Sequence, residues 1–450
     1  MKGTLDIVGG NLIDGIADQP KRNRSLRVKD GRIAALWDGA NAPAEARGSA
    51  DRLIDATGKT VMPGLIDAHC HISYGEGRTA EEVDVYGGPE WAAVRAVWNC
   101  AKVLRAGVTS FCDPGSTWLV AVTARDAIAS GMFPGPRIFA AGRHIAADGG
   151  FADYFPSWLG MPVSAEGVLC HTREEMVREV RQQVKNRVAL VKISGDSQAQ
   201  ERLDHAGPCL SDDEMQAIVS AAHGLGRKTT IHARYPNTVV AAVRAGIDWV
   251  IHASYMRSED IAFVRDAGTP ICPTFTFTAN IVQWGKDVGV DPNYIEVKKR
   301  ELDALAHIHR RAHEAGITML AGSEAGFSVT PYGDWHAREL ELMVELIGMS
   351  PMAAIKAATR NNAAAFGWAG DVGTLERDAR ADILVVDGDP LADIGILGDP
   401  KKITTILHDG DEVDRTQPIA ERRRMAHERG FNVSVLKLER TEANRRRSQS

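Results

Sequence analysis

The chain has 450 residues, 44% of them hydrophobic and 25% charged, with 43 Gly and 19 Pro. This excludes collagen-like and low-complexity chains, and the length suits one large α/β barrel with a satellite as well as it suits several small domains. A net charge of −6 leaves no global basic field for nucleic acid, and no apolar run reaches the roughly 18 residues of a membrane span.

In chain order, residues 1–60 read as short strands and turns. "TLDIVGGNLID", "SLRVKDGRIAALWDG" and "DRLIDATGKT" alternate apolar and polar residues and break at Gly, Asn and Asp. Met1 to Pro20 carries Asp6, Asp14 and Asp18 and lacks the apolar core of a signal peptide. Six scattered cysteines without a CxxC pair predict reduced thiols and a cytoplasmic protein.

Residues 61–370 change pattern. Eight short apolar runs, "TVMPGLIDAH", "GVTSFCD", "PRIFAAG", "ALVKIS", "KTTIHA", "DWVIHA", "TPICPTF" and "ITMLAG", alternate with segments of helical period. The predicted helices include 91–106, 172–186, 212–224, 238–245, 258–267 and 297–315. This alternation predicts an α/β chain with a (β/α)8 TIM barrel, with an open doubly wound sheet as its rival. Residues 371–412 return to β character in "ADILVVDGDP" and "ITTILHDGDEV". Both flanks are expected to pair into one satellite β-sandwich. Residues 413–450 hold ten Lys and Arg against five acids, so the tail is +5 and the rest of the chain −11. Without interleaved aromatics, it reads as a solvated tail or a contact in a homo-oligomer, not as a nucleic-acid element.

The chemistry gathers at predicted strand ends. His69 and His71 stand in "GLIDAHCHIS", and on a strand residues i and i+2 share a face, so two imidazoles can meet one ion. His307 and His309 have the same spacing on a predicted helix, where they diverge. Lys192 lies inside the apolar run "VALVKISGD", where a charged amine is costly unless paired, neutralised or modified. His232 ends "KTTIHA" and His252 ends "DWVIHA". In a barrel these side chains meet at the C-terminal mouth, where such enzymes place their sites. Nitrogen and oxygen donors suit Zn²⁺, and also Co²⁺, Mn²⁺ or Fe²⁺.

With "TGKTVMPGLIDAHCH", "LRAGVTSFCDPG", "GPRIFAAG", "VKISGD" and "ADILVVDGDPLADI", these five positions resemble the amidohydrolase superfamily over most of residues 1–412, in its imidazolonepropionase-like and prolidase-like branch. The resemblance implies a metal-dependent TIM barrel with a satellite sandwich built from both chain ends. It also implies a Lys192 carboxylated on Nζ that bridges two metals, His69 and His71 on one ion, and His232 and His252 on the other. The pattern departs at the eighth strand, where the family's Gly-Thr-Asp is replaced by Gly322-Ser323-Glu324. Glu324 retains a carboxylate one methylene longer, either as metal ligand and base or as a lost acid in a silent barrel.

A divalent ion lowers the pKa of bound water from about 15.7 toward 7 and polarises a carbonyl. Glu324 is then the expected general acid/base. His336, in "YGDWHAREL", is either a support for the site, an oxyanion contact or a surface residue. Phe151, Tyr154, Phe155 and Trp158 follow the third predicted strand, and Phe275 and Phe277 stand at the seventh. They predict an aryl or apolar pocket, or else a minicore that anchors loops. Arg234 and Tyr235 follow the fifth strand, with Arg234 suited to clamp a carboxylate or to form a structural ion pair. The predicted function is hydrolysis of a C–N bond in a small aryl amide, urea or carbamate such as a phenylurea. The alternatives are an Xaa-Pro or other dipeptidase and a catalytically silent binding or scaffold protein.

Overall fold

The computed structural model describes residues 3–41, 50–197 and 207–430, so positions 431–450 of the basic tail lie outside the described residues. The two flanks meet in one mixed sheet of eight strands. Leu5–Leu12 pairs antiparallel with Lys21–Lys29 and parallel with both Arg52–Asp55 and Thr60–Pro63. Thr60–Pro63 pairs antiparallel with Ile383–Val386, which continues antiparallel to Ile403–His408. Alternate residues turn inward, so Leu5, Ile7, Leu26, Val28, Val61, Ile383, Val385 and Leu407 share one core. Among the described residues these ladders join in a single sheet.

Between the flanks, short parallel strands alternate with helices. Leu65–Asp67, Val108–Asp113 and Arg137–Ala140 form a three-stranded sheet. Gly167–Leu169, His144–Ala146, Leu190–Ser194, Lys228–Ala233, Trp249–His252 and Ile271–Cys272 form a six-stranded one. The ladders break between the two sheets, where single backbone bonds take over. Ala189 N–H donates to Ala140 O, Leu320 N–H to Ile271 O and Ala68 N–H to Ala321 O, each at 2.8 Å. The arrangement is α/β of the TIM-barrel type. The run "ITMLAG" contributes the last two of these bonds and one bridge, Met319 to Ile271, in place of a strand ladder. Leu190–Ser194 and Trp249–His252 are buried throughout, as parallel strands covered on both faces must be.

Helix ends follow the local chemistry. Thr172 caps Arg173–Lys185 by accepting from Glu175 N–H, and Ser211 with Glu214 forms a capping box at Asp212–Gly224. Pro292 follows the cap Asp291 and opens the long helix Pro292–Glu314, earlier than the apolar period indicates. "PTFTFTAN" departs from expectation. The strand is only Ile271–Cys272, and Phe275–Trp284 is an α-helix. Glu339 supplies the reason: its carboxylate accepts Phe275 N–H (3.0 Å), Thr276 N–H (2.9 Å) and Thr276 Oγ1 (2.7 Å), satisfying donors that a helix N-terminus leaves free.

No helix among the described residues is long and apolar enough to cross a membrane.

Candidate functional site

The strand Leu65–Asp67 ends before His69, yet its alternation persists through the isolated parallel bridge of Cys70 with Ala325. His69 and His71 therefore project together, with their Nε2 atoms 2.9 Å apart. Glu324 joins them, and one ligand atom from each of the three lies within 4.8 Å of the others. His71 Nδ1–H donates to Gly115 O at 2.7 Å, which leaves its Nε2 lone pair facing His69. His69 Nδ1 pairs with Thr274 Oγ1 at 3.1 Å.

The other two strand-end histidines continue the cluster. Ring centroids run from His71 to His69 at 4.8 Å, from His69 to His252 at 5.5 Å and from His252 to His232 at 4.5 Å. His252 Nε2 lies 3.1 Å from His232 Nδ1, and Arg234 Nη1 donates to His232 Nε2 at 2.5 Å. Burial, followed by the neighbouring cations and rings, pushes His69, His232 and His252 well below the usual imidazole range, which favours neutral donors. Lys192 projects from the adjacent buried strand, opposite Thr230, and burial pushes its ammonium down to about 8. Burial also raises the Glu324 carboxyl, against the opposing pull of Arg234, His71 and Lys298. Neutral imidazoles converging on a buried carboxylate form a donor set that suits a divalent ion.

Asp67 and His336 form the floor beside this cluster. His336 Nδ1–H donates to Asp67 Oδ2 at 2.7 Å, and Gly333 N–H donates to His336 Nε2 at 3.2 Å. Asp67 also accepts His69 N–H (2.9 Å), Ser323 N–H (3.0 Å) and Ser323 Oγ (2.5 Å). His336 is thus buried with both ring nitrogens engaged, neither on the surface nor free to meet an oxyanion.

The predicted substrate residues divide. Phe151 lies flat on His232, with centroids 3.7 Å apart and planes at 12°, and Tyr154 meets Phe151 edge-on at 5.6 Å. Phe277 packs on Phe327 at 5.1 Å and lies 5.5 Å from Lys298 Nζ. Phe275 is fully buried and faces His309, because residues two apart on a helix point in different directions. Trp158 is 84% exposed, and no ring contact among the described residues joins it to the cluster. Tyr235 stacks on Tyr255 at 5.5 Å. Arg234 Nε donates to Glu301 Oε1 at 2.7 Å, so it forms the structural ion pair that was one of its two readings.

Several residues escaped the sequence reading. Lys298 Nζ and Ser254 Oγ also donate to Glu301, at 2.7 and 2.9 Å, and nothing on that helix's polar face marks the triad. His144 ends the run "RIFAAGRH" just as His232 ends its own. Its Nδ1 pairs with Ser194 Oγ at 3.0 Å, and its buried Nε2 has no partner. Tyr74, stacked on His71 at 4.2 Å, follows it by three residues.

A parallel α/β barrel-type fold with a buried histidine and carboxylate cluster at its strand ends defines a class of hydrolases. Residues 60–413 match the model of the amidohydrolase family, and the chain belongs to that family. It is 27% identical to ochratoxinase of Aspergillus niger over 433 residues, covering 90% of this chain and 85% of that one. Its fold is similar to a Xaa-Pro dipeptidase crystallised with methionine in the active site, with a TM-score of 0.80 and 27% identity over 91% of this chain and 99% of the other. Phenylurea hydrolase B shares the fold with a TM-score of 0.73 at 22% identity, over 92% of this chain and 97% of that one.

Proposed function

We propose that this chain is a metal-dependent hydrolase that cleaves a C–N bond, in an amide, urea or carbamate, of a small substrate bearing an aryl or apolar group. The observation that carries this reading is the unbroken contact of His71, His69, His252 and His232, with Glu324 against its first pair and Phe151 flat on its last. His69, His71, His232, His252, a carboxylated Lys192 and Glu324 would hold one or two divalent ions, zinc by the nature of the donors. A bound ion supplies Lewis-acid activation of water and of the scissile carbonyl.

The chain's own residues do the rest. Glu324 takes a proton from the attacking water and returns it to the leaving nitrogen. Asp67 and His336 hold the Gly322-Ser323-Glu324 turn so that this carboxylate stays over the cluster. Phe151, Tyr154 and Phe277 exclude water and meet the apolar part of the substrate.

A second reading, a dipeptidase, is favoured by Arg234 and Lys298 sharing the single carboxylate Glu301. That buried triad carries one excess positive charge, complementary to a substrate carboxylate.

Metal analysis and a hydrolysis screen against phenylureas, carbamates, anilides and Xaa-Pro dipeptides test the proposal. About one or two ions per chain are expected, with hydrolysis falling by about 10²–10⁴-fold in Glu324→Gln. A chain that takes up no metal and hydrolyses none of these is a scaffold, and the proposal falls.

A further inference from the structure

The match to the family ends at residue 413, yet the chain beyond it packs on the barrel. Arg95, on the helix Pro89–Arg105, has a side-chain exposure of only 2%, and its one ion-pair partner among the described residues is Glu428, at 3.4 Å. Glu428 is itself buried. Its other oxygen accepts Arg422 Nη1 and Met425 N–H, each at 2.8 Å, which folds the segment around the carboxylate. His427 meets the ring of Trp91 edge-on at 5.3 Å. A buried guanidinium without a counter-charge is strongly destabilised, so this barrel helix relies on a carboxylate 333 residues further along the chain.

The same segment grips the loop that follows His71. Arg95 Nη2 donates to Ser73 O at 2.7 Å. Gly75 (φ 65°) passes the guanidinium so closely that a Cβ there would lie 2.0 Å from Arg95 Cζ. Arg424 Nη2 lies 2.9 Å from Oε2 of the buried Glu82 and donates to Glu76 O at 3.3 Å. On its inner side the loop is tied to the turn that carries Glu324. Glu76 N–H donates to Gly326 O at 2.8 Å, and Ser328 N–H donates to Gly77 O at 3.0 Å. Tyr332 joins the two by donating to His71 O at 2.5 Å and accepting Gly75 N–H at 3.0 Å. Residues 73–82 therefore lie between the Glu324 turn and the C-terminal segment, at the end of the first barrel strand, where the mouth is.

We propose that residues 422–428 form a clasp that holds residues 73–82 against the Glu324 turn and closes that edge of the mouth. Arg95 relays the hold of Glu428 to Ser73, and Arg424 applies a second hold at Glu76 and Glu82. The clasp acts on the loop whatever the histidine cluster binds, so the inference does not rest on the proposed hydrolysis.

Hydrogen–deuterium exchange of the full-length chain tests this, read on peptides covering 72–83, 418–430 and the helix Asp212–Gly224. Glu428→Gln keeps the shape of the side chain and removes its charge. It is expected to speed exchange at least about tenfold both in 418–430 and in 72–83, where Gly75 and Glu76 hold bonded amides, with the helix at the parent rate. Arg424→Ala, at a partly exposed residue, is expected to speed exchange in 72–83 by a smaller factor. Faster exchange confined to 418–430 overturns the proposal, as do parent rates in both segments. If Glu428→Gln does not fold, or exchanges faster in the helix as well, Arg424→Ala decides. Faster exchange in 72–83 then upholds the clasp, and the parent rate there overturns it.

Discussion

Replacing Glu301 by Gln removes the only negative charge of a buried triad and leaves Arg234 and Lys298 facing each other across a neutral amide. The carboxylate is almost fully buried, with a side-chain exposure of 5%. Burial pushes its carboxyl up, but Lys298, Arg234 and the Ser254 hydroxyl outweigh that and hold it at about 2, against an ordinary 4.5. That difference corresponds to about 3 kcal/mol. Breaking a buried pair by removing one partner costs a similar 3–5 kcal/mol or so. For a chain of 450 residues, with an unfolding entropy of about 2.1 cal/mol/K per residue, about 3 kcal/mol lowers the thermal midpoint by roughly 3–4 °C. The folded-state carboxyl is depressed, so its contribution is complete above 4.5 and fades as pH falls toward about 2. Thermal melts followed by circular dichroism at pH 7 and at steps below 4.5 measure both effects. A Glu301→Gln midpoint within about 1 °C of the parent at pH 7, or a gap that stays constant on acidification, would refute the reasoning.

The C-terminal segment offers a second pH-linked contact. Burial raises the Glu428 carboxyl, but bonds from Arg422 and Met425 N–H outweigh it and hold the group at about 2. Glu428 also pairs with buried Arg95, which donates to Ser73 O just past His71. Glu428→Ala is expected to free residues 418–430 for proteolysis at pH 7, and acidification from 4.5 toward 2 to perturb Trp91 fluorescence in the parent alone. Gly64 separates the satellite strand from the first barrel strand, and a Cβ there would lie 2.3 Å from Thr109 Oγ1. Gly64→Ala is expected to cost about 1–3 kcal/mol, read as a lower urea midpoint with an unchanged slope.

Most of the cluster was legible because its signals are local. His69, His71, Lys192, His232 and His252 each sit in or beside a short apolar run, and the β/α alternation alone brings such ends together. His144 carries the same signal but stood alone, without a second histidine to raise it above a core residue. Glu301 and Lys298 have no such mark, since a buried pair three residues apart on a long helix reads like any solvated pair. The "PTFTFTAN" segment misled for a related reason. Its alternating Thr and Phe suit a strand, and the carboxylate that makes it a helix, Glu339, comes more than sixty residues later. Trp158 shows the limit of composition, because a loop aromatic carries no sign of which way it faces.

The backbone explains why side chains from separate strands converge so closely. His252 (φ 75°), Ala253 (φ 53°), Thr274 (φ 61°) and Glu324 (φ 56°) all occupy the left-handed region at strand ends. Each such residue costs on the order of 1–3 kcal/mol and persists only where its surroundings fix it. Those surroundings are present. Ala253 N–H donates to Ala233 O at 2.8 Å and Glu324 N–H to His69 O at 2.6 Å, while Glu339 secures the two N–H groups after Thr274. A strand that continued straight would carry His252 and Glu324 outward, away from one another. The reversed backbone turns them in over the mouth instead, where His252 meets His232 and Glu324 meets His69 and His71. Glycine would relieve the strain at any of these positions and would bring no donor to the cluster. The strain is therefore the cost of keeping an imidazole and a carboxylate at the turns themselves.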